Sequence, residues 1–537
     1  MLLGRIHGWL APLVLVICVA LLFAGIPSEG AFDWSDAPRH ALNGVFVKDL
    51  FAGAQYADPA GFAYRYYTQY PALTILFYPP LFYFISAPFY ALFGVSQHTA
   101  LLVVALHYMA FAFGSWRLFR FWLPSWQAAI TALMLVASPE IAFWGRQVML
   151  EIPAFAFLIW SAVFFTRYRR EQRIVFLYIA AALLVLAMYT KINTCFMAFT
   201  FACTLIAERR CALLRDRHTW IIGLFCLVGL IPLLVITVKF GQANLQSVTG
   251  IADATVARKS LQAWLWYFKQ IPGQLGWPLA AMAILGSSLM LTQRGRRVFE
   301  RHDLLFWSLW LGSGYLFFSA IDLKEARFSI FMLPPLVLAA AMLLNAFPKP
   351  LWSNLALAAL ATAVVAQTAL LRPVLYVKGY AEAADFIAQH APKNSAVLFS
   401  GYRDGSFIFN MRTHEDRRDV SVIRGDKLLL KIAVRRELGV EQKNLNETEI
   451  GERINQLGIY YIVAQPGFWN DLAEMQRFEH VLSSNQFKEV ARIPTPANFN
   501  AHEKELVIYQ NLGALWQKPI QLDLDLPIIG RTIKAGH

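Results

Sequence analysis

The chain has 537 residues, of which 57% are hydrophobic and 15% charged, and its formal net charge is +13. Soluble globular domains carry about 25% charged residues, so this composition indicates a membrane protein. The basic residues stand in short clusters between apolar runs, which is typical of membrane orientation signals, and we expect no nucleic-acid partner. The five cysteines show no CxxC or Cys/His spacing, which excludes a disulfide framework and a cysteine-based zinc site.

About eleven apolar runs are long enough, or nearly so, to cross a bilayer. They lie at 9–26, 98–117, 126–144, 150–166, 174–190, 193–207, 219–238, 277–292, 303–321, 328–346 and 352–371. No small-residue cleavage site follows the first run, so it is predicted to be an uncleaved anchor. The fold class is therefore a polytopic α-helical membrane protein, and membrane lipids are among its partners.

Four clusters of arginine separate these runs and set their orientation. They are Arg117 with Arg120; Arg167, Arg169, Arg170 and Arg173; Arg209, Arg210, Arg215 and Arg217; and Arg294, Arg296, Arg297 and Arg301. The positive-inside rule places all of them in the cytoplasm. The number of runs between clusters then puts the turns at 145–151, 190–193 and 322–327 outside, together with everything after residue 371.

Residues 72–94 are apolar, but the tandem Pro79-Pro80 and the neighbouring aromatic residues suit an element that lies in the membrane interface. We therefore predict that 27–97 is one outer loop with in-plane helices. A second outer loop at 239–276 contains Trp264, Trp266 and Tyr267, which favour another interfacial helix.

The composition changes near Tyr380, where a more polar region begins. The pattern predicts a helix over 383–390, strands at 396–399, 420–423 and 460–463, and a helical stretch over 441–456. This indicates two domains: a transmembrane catalytic domain at 1–372 and an exterior α/β domain at 373–537.

The predicted topology gathers charged residues on the outer face of the membrane. They are Asp36, Arg39, Arg146, Glu151, Lys191, Lys324, Glu325 and Arg327. A carboxylate can accept the proton of an attacking hydroxyl, and cations can stabilise the charge that builds on a departing phosphate. Since a phosphate leaving group needs no acid, one base and several cations are sufficient for transfer from a phosphate-linked donor.

Several of these residues also have a purely structural interpretation. Asp33 is expected to be merely solvated. Glu151 begins a helix, where an acid favours the helix dipole. Lys191 fits a side chain that snorkels to the lipid headgroups. Arg327 also begins a helix, where the dipole disfavours a cation, and this favours a functional role.

The outer-face motifs resemble those of a known enzyme family. They are Asp36-Ala37-Pro38-Arg39; Tyr78-Pro79-Pro80-Leu81 with Tyr83; Arg146 with Glu151-Ile152-Pro153; Tyr189-Thr190-Lys191; and Arg327-Phe328 before Leu333-Pro334-Pro335. The chain resembles the GT-C membrane glycosyltransferases, in the branch that holds bacterial aminoarabinose–lipid A transferases and protein O-mannosyltransferases. The resemblance covers about residues 1–372.

The resemblance implies a glycosyltransferase in the bacterial inner membrane, with its active site and C-terminal domain facing the periplasm. The implied reaction moves a sugar from a polyprenyl-phosphate donor to a hydroxyl of a lipid, glycan or protein acceptor, with inversion at the sugar carbon. The implied catalytic acids are Asp36 and Glu151, and the implied donor-phosphate or substrate contacts are Arg39, Tyr78, Tyr83, Arg146, Lys191, Glu325 and Arg327. The chain departs from the family at Ala37, where a Glu is usual, and at Tyr78, where some relatives have a phosphate-binding Lys.

Two other classes of function stay open at this point. One is a transporter or flippase of lipid-linked sugars, against which the near absence of charges within the apolar runs argues. The other is a sensor or scaffold, which leaves the outer acids without a purpose. The sequence predicts no metal site and no certain cofactor, although a divalent cation near the outer carboxylates stays open.

Overall fold

The computed structural model describes residues 2–24, 26–27, 32–210, 212–248, 256–290, 301–346, 349–432, 436, 439–515, 520–526 and 531–535. The chain divides into two compact units. The first unit consists of Met1–Ile26, Val104–Thr237 and Ala252–Val374, and the second of Pro27–Val103, Val238–Ile251 and Leu375–His537. The predicted basic cluster at Arg294, Arg296 and Arg297 lies outside the described residues.

Helices dominate the chain up to residue 371. They are α1 (Leu2–Phe23), α2 (Asp36–Ala52), α3 (Pro59–Gln69), α4 (Leu81–Phe93), α5 (Gln97–Phe119), α6 (Ser125–Val136), α7 (Pro139–Gly145), α8 (Glu151–Glu171), α9 (Ile174–Thr190), α10 (Phe196–Arg209), α11 (Ala212–Arg215), α12 (Arg217–Val248), α13 (Leu261–Leu275), α14 (Trp277–Met290), α15 (Arg301–Ser319), α16 (Pro334–Asn345) and α17 (Pro350–Leu371). Short 3₁₀ helices occur at Gln55–Ala57, Ile192–Cys195 and Ala326–Met332. The predicted apolar runs therefore fall on helices.

The C-terminal region adds further helices and all the strands that the structure describes. They are α18 (Tyr380–His390), α19 (Asp404–Thr413), α20 (Gly425–Leu429), α21 (Glu447–Gln456) and α22 (Ala473–Leu482), with β1 (Ala396–Ser400), β2 (Ser421–Arg424), β3 (Leu430–Ile432), β4 (Val440–Gln442), β5 (Ile459–Ala464), β6 (Phe487–Pro494), β7 (Glu505–Asn511), β8 (Leu522–Leu526) and β9 (Arg531–Ala535). A further short 3₁₀ helix occurs at Glu415–Arg417.

Three of the described helices are long and apolar enough to cross a membrane on their own: α5, residues 217–241 of α12, and α17. Two bent pairs, α6 with α7 and Ala326–Met332 with α16, raise that number to five, so the predicted count of about eleven spans is not confirmed. The predicted spans at 126–144 and 328–346 fall on these two pairs, which bend by 70° and 56°. Each break precedes a proline that begins the second helix. Ser138 has the extended backbone that a following proline favours, whereas Leu333 keeps helical backbone before Pro334.

Close helix packing in the first unit depends on small residues. A side-chain Cβ at Gly286 of α14 would lie 2.2 Å from the Ala339 carbonyl oxygen in α16, so only glycine allows these two helices to approach so closely. In the same unit the rings of Phe165 and Phe201 stack with their centroids 4.0 Å apart. These contacts join the helices into one apolar core.

Residues near the basic clusters meet at one end of the first unit. The Asp303 carboxylate lies 3.2 Å from the Arg169 guanidinium and 3.3 Å from that of Arg170, and it accepts a hydrogen bond of 2.8 Å from the Trp122 indole. Arg169 also pairs with Glu208 at 2.6 Å. Four segments that were predicted to share the cytoplasmic side therefore lie together. Which side of the membrane this end faces stays a prediction.

The second unit contains a five-stranded sheet in the order β2-β1-β5-β7-β6. Strands β2, β1 and β5 are parallel, and β7 and β6 run antiparallel to their neighbours. The predicted strands at 396–399, 420–423 and 460–463 are confirmed as β1, β2 and β5. The predicted helical stretch at 441–456 is partly wrong, because β4 pairs with β3 and the helix begins only at Glu447, where Asn446 caps it.

Helices α2 and α19 lie side by side in the second unit and are joined by ion pairs of opposite polarity. Near their first residues, the Arg39 guanidinium of α2 binds the Asp404 carboxylate of α19 at 2.9 Å. Near their last residues, the Asp49 carboxylate of α2 binds the Arg412 guanidinium of α19 at 2.7 Å. The helix that begins with Asp36 is thereby joined to the α/β region.

Candidate functional site

A buried carboxylate at the start of α8 is the centre of a charged cluster in the first unit. The side chain of Glu151 is 0% exposed. Its Oε1 accepts a hydrogen bond of 2.5 Å from Lys191 Nζ and lies 3.7 Å from Arg327 Nε. Arg327 Nε also donates to Glu325. Four of the residues predicted from sequence therefore lie in one cluster.

The ends of two helices and one short 3₁₀ helix position these side chains. Glu151 is the first residue of α8, Lys191 follows the last residue of α9, and Arg327 lies in the 3₁₀ helix Ala326–Met332 directly before α16. Aromatic rings form the walls, since the Arg327 guanidinium lies 4.8 Å from the Trp144 ring centroid and Lys191 Nζ lies 5.5 Å from that of Phe328. Such rings exclude water and strengthen the charge interactions beside them.

The Glu151 cluster can hold an ionised carboxylate away from water. Two cations close to one carboxylate favour its charged form. The second carboxylate oxygen, Oε2, is buried and has no hydrogen-bond partner among the residues that the structure describes. Because a buried acceptor without a donor costs free energy, Oε2 is the atom at which an incoming hydroxyl or amine would find a ready acceptor. The alternative in which Lys191 merely snorkels to the lipid headgroups is disfavoured, because its Nζ binds the buried Glu151 carboxylate.

Arg146 is buried and binds carbonyl groups at the ends of two helices. Its Nε donates to the Ala142 carbonyl of α7, and its Nη2 donates to the Arg372 carbonyl just after α17, each at 2.7 Å. Cations at helix C-termini satisfy carbonyls that lack an intrahelical partner. The structure thus gives Arg146 a capping role, and its predicted role in substrate binding stays a prediction.

A second group of predicted site residues lies in the second unit, around Asp36. The Tyr78 hydroxyl donates to Asp36 Oδ2 at 3.2 Å. One turn further along α2, His40 Nδ1 shares a hydrogen bond of 2.9 Å with the Tyr83 hydroxyl, and the His40 ring meets the edge of the Tyr78 ring. Sequence reasoning missed His40, although its spacing of four residues from Asp36 places both on one face of a helix.

Arg39, which was predicted to contact the donor phosphate, is held by protein groups. Its Nη2 donates to both Asp404 oxygens at 2.9 Å, and its Nη1 donates to the Ser35 carbonyl at 2.6 Å. Asp404 is also 2.8 Å from the Arg424 guanidinium. Burial would raise the pKa of Asp404, but the two guanidinium groups outweigh it, and the pKa lies below its ordinary value. A phosphate at Arg39 would compete with this carboxylate.

Asp33 is not the solvated acid that was expected from sequence. Its carboxylate lies 3.2 Å from the Arg403 guanidinium, and its side chain is only 11% exposed. Burial raises the pKa of Asp33, although Arg403 opposes that rise. The expectation was wrong because the partner comes from a segment 370 residues away, which local sequence does not reveal.

Lys324, one of the cations assigned to the outer face, caps a helix. Its Nζ donates to the Phe318 and Ser319 carbonyls at the end of α15, at 3.1 and 2.7 Å. For metals, the described part of the chain holds no group of three or more His, Cys, Asp or Glu side chains placed to share an ion.

Comparisons with known proteins agree on the architecture. A family model described as dolichyl-phosphate-mannose-protein mannosyltransferase matches residues 78–236. The structure of ArnT from Cupriavidus metallidurans in the apo state has a TM-score of 0.62 at 15% identity and covers 95% of this chain and 99% of that one. The same protein bound to undecaprenyl phosphate has a TM-score of 0.60 at 14% identity, with the same coverage of both chains.

A more distant structure has the same fold. The oligosaccharyltransferase of Archaeoglobus fulgidus in its apo form has a TM-score of 0.54 at 11% identity, covering 93% of this chain and 76% of that one. No match is found among curated proteins. At these identities the structural likeness concerns the fold. Together with the family model, it confirms the resemblance predicted from the sequence and supports glycosyltransferase activity of that type.

Proposed function

We propose that this chain, which has the fold of the GT-C membrane glycosyltransferases, transfers a sugar from a polyprenyl-phosphate donor to an acceptor hydroxyl. The observation that carries the proposal is the Glu151 cluster, in which a fully buried carboxylate is held by Lys191 and Arg327. A purely structural ion pair has no need of a second carboxylate oxygen that is buried without a hydrogen-bond partner among the described residues. A site that receives a substrate does.

The two cations of this cluster would stabilise the phosphate that leaves. Lys191 carries three N–H donors, one of which binds Glu151, and the Arg327 guanidinium lies beside the same carboxylate. The planar fork of Arg327 suits two phosphate oxygens, whereas Lys191 supplies a point charge. As the bond from the sugar carbon to phosphate breaks, the charge on the phosphate grows, and cations placed in advance lower the barrier.

The second carboxylate of the proposed reaction is Asp36, as the general base. It would take the proton of the acceptor hydroxyl as that oxygen attacks the sugar carbon. The hydroxyl of Tyr78 donates to Oδ2 of this carboxylate and would help to orient it. A single displacement of this kind inverts the configuration at the sugar carbon. ArnT has been crystallised with undecaprenyl phosphate and an archaeal oligosaccharyltransferase with dolichol phosphate, which supports a lipid-phosphate donor.

The proposed setting is a bacterial inner membrane, with the site and residues 373–537 on the periplasmic side. Residues 1–372 would form the catalytic transmembrane domain. The acceptor would be a lipid, a glycan or a protein, and membrane lipids would surround the apolar helices. The family resemblance supports this arrangement, and so does the number of apolar runs between the arginine clusters.

The test is sugar transfer by the purified chain in detergent, with polyprenyl-phosphate sugars as donors and a panel of hydroxyl acceptors. We expect turnover in the wild type and a loss of roughly 10²–10³-fold in Glu151→Gln, because the amide no longer holds Lys191 and Arg327 in place. Glu171→Gln is the matched control, since Glu171 ends the same helix and pairs with Arg167 at the opposite end. Equal turnover of Glu151→Gln and wild type would overturn the proposal. In a second assay with the chain in lipid vesicles, movement of the lipid-linked sugar between leaflets without transfer would favour a flippase.

A further inference from the structure

The parallel part of the sheet in the second unit has an edge at which α/β folds usually bind ligands. Strand β1 lies between β2 and β5, so the chain goes first to one side of β1 and then to the other. Ligands of open α/β sheets bind outside the carboxyl ends of the strands at such a reversal. Here Arg403 lies in the loop that follows β1, Asp404 begins α19, and both bind another segment of this chain.

That segment is 33–39, which surrounds the proposed base Asp36. Arg403 Nη2 lies 3.2 Å from Asp33 Oδ1, and Arg403 Nη1 donates to the Asp33 carbonyl. Asp404 accepts two hydrogen bonds of 2.9 Å from Arg39. Two consecutive residues of opposite charge therefore bind the residue three positions before Asp36 and the residue three positions after it. We call these two ion pairs the Asp36 clamp.

Further residues of the α/β region hold the clamp in place. Arg403 also pairs with Glu503, and Asp404 also pairs with Arg424 at 2.8 Å. Gly405 allows the close approach, since a Cβ there would lie 3.0 Å from Arg39 Nη1 and 3.1 Å from a Pro38 ring carbon. A side chain whose partner is itself held by a second group loses little freedom when it binds, and this is how supporting residues fix a site.

We propose that Arg403 and Asp404 are positioning residues, through which the C-terminal domain sets the orientation of the Asp36 carboxylate. The inference rests on the proposed function, because it takes Asp36 as the base. Arg403 and Asp404 act through Asp33 and Arg39, on either side of the base. A proton acceptor must lie within hydrogen-bond reach of the proton it takes, and a misplacement of about 1 Å costs up to about 100-fold in rate.

Two variants open one side of the clamp each. Asp33→Asn leaves Arg403 paired with Glu503, and Asp404→Asn leaves Arg424 paired with Asp426 at 2.7 Å. Each of these two arginines in the α/β region therefore keeps an acidic partner. The matched control is Glu489→Gln, which removes an acid that pairs with Arg492 on β6 of the same unit.

The experiment combines a mobility measurement with kinetics, both on the full chain in detergent. A spin label is attached to a cysteine at the exposed Ser35, after the five native cysteines are replaced. We expect the label to become mobile in Asp33→Asn and Asp404→Asn and to stay ordered in Glu489→Gln. We also expect kcat for sugar transfer to fall roughly 10–100-fold in Asp33→Asn, with the donor KM unchanged. A pure loss of folding would instead lower the active fraction and the melting temperature together.

Each outcome decides one part of the inference. A label that stays ordered in both variants overturns the clamp, whatever the activity. A mobile label with wild-type kcat shows that the segment is held but that Asp36 is not positioned through it, which overturns the role of Arg403 and Asp404. Wild-type protein without sugar transfer, or Asp36→Asn with full transfer, overturns the proposed function instead. In that case the label alone decides whether the α/β region holds the segment.

Discussion

The ion pair between Arg412 and Asp49 allows a sharp test of how α2 is attached to the α/β region. The Arg412 side chain is 0% exposed, and its Nη2 donates to both Asp49 oxygens at 2.8 and 2.7 Å. Its Nε donates to Asp49 and to the Tyr66 hydroxyl. Arg412→Met keeps most of the side-chain volume but removes the charge and every donor. The Asp49 carboxylate then remains buried with less positive charge and fewer hydrogen-bond donors around it.

The expected cost follows from the partners that stay. Removal of one member of a buried ion pair costs roughly 3–5 kcal/mol. Lys48 and Arg418 remain 3.7 and 3.4 Å from Asp49, so the lower limit applies, about 3 kcal/mol. One kcal/mol corresponds to about 2–4 °C in Tm for a unit of 150–250 residues, which predicts a decrease of roughly 6–12 °C. The double variant with Asp49→Asn should recover much of this loss, because it leaves no buried charge unpaired.

The assay is thermal unfolding of the purified chain in detergent at a fixed scan rate, since membrane proteins often unfold irreversibly. Arg492→Met is the control, because Arg492 forms exposed ion pairs with Glu489 and Glu505, and such pairs contribute little to stability. A Tm for Arg412→Met within about 2 °C of the wild type would refute the reasoning. So would a double variant that melts as low as the single one, since buried unpaired charge would then not be the cause.

Three further outcomes are expected. Asp36→Asn should lower kcat for sugar transfer by roughly 10²–10⁴-fold while the protein still folds, because it removes the basic lone pair of the base. Arg327→Lys should raise the donor KM, measured by varying the polyprenyl-phosphate sugar, since a point charge does not reproduce the guanidinium fork. Burial raises the pKa of Asp404 less than Arg39 and Arg424 lower it, so its stabilising effect is full above about pH 4 and is lost as pH falls through the folded-state pKa. The difference in Tm between wild type and Asp404→Asn should therefore shrink below about pH 4, as measured by thermal unfolding from pH 3 to 8.

Each of these three predictions can be contradicted by a specific result. Asp36→Asn with full turnover would remove the proposed base, and Arg327→Lys with an unchanged donor KM would place the phosphate elsewhere. A difference in Tm between wild type and Asp404→Asn that grows as the pH falls would mean that Asp404 is stabilised in its protonated form. That outcome would contradict the ion pair with Arg39.

The local features of this chain could be predicted from the sequence. Apolar runs of helical length became helices, and the short, mostly apolar segments at 396–399, 420–423 and 460–463 became strands, because these patterns depend on neighbours only a few residues away. The number of apolar runs between arginine clusters also predicted that Glu151 and Lys191 lie on the same side of the membrane, and the structure brings these two side chains into contact. Such a count relates residues that are far apart in sequence, because every span crosses the same layer.

The choice of ionic partner was decided only by the tertiary structure. Arg39 looked available for a phosphate, yet it binds Asp404 across 365 residues of chain, and the supposedly solvated Asp33 binds Arg403. Breaks within apolar runs were missed as well, since a proline marks a place where a helix can end but packing decides whether it bends by 70°. A charge binds whichever opposite charge the fold brings within a few ångströms, and that neighbour is set by the packing of whole helices and strands, which no local pattern contains.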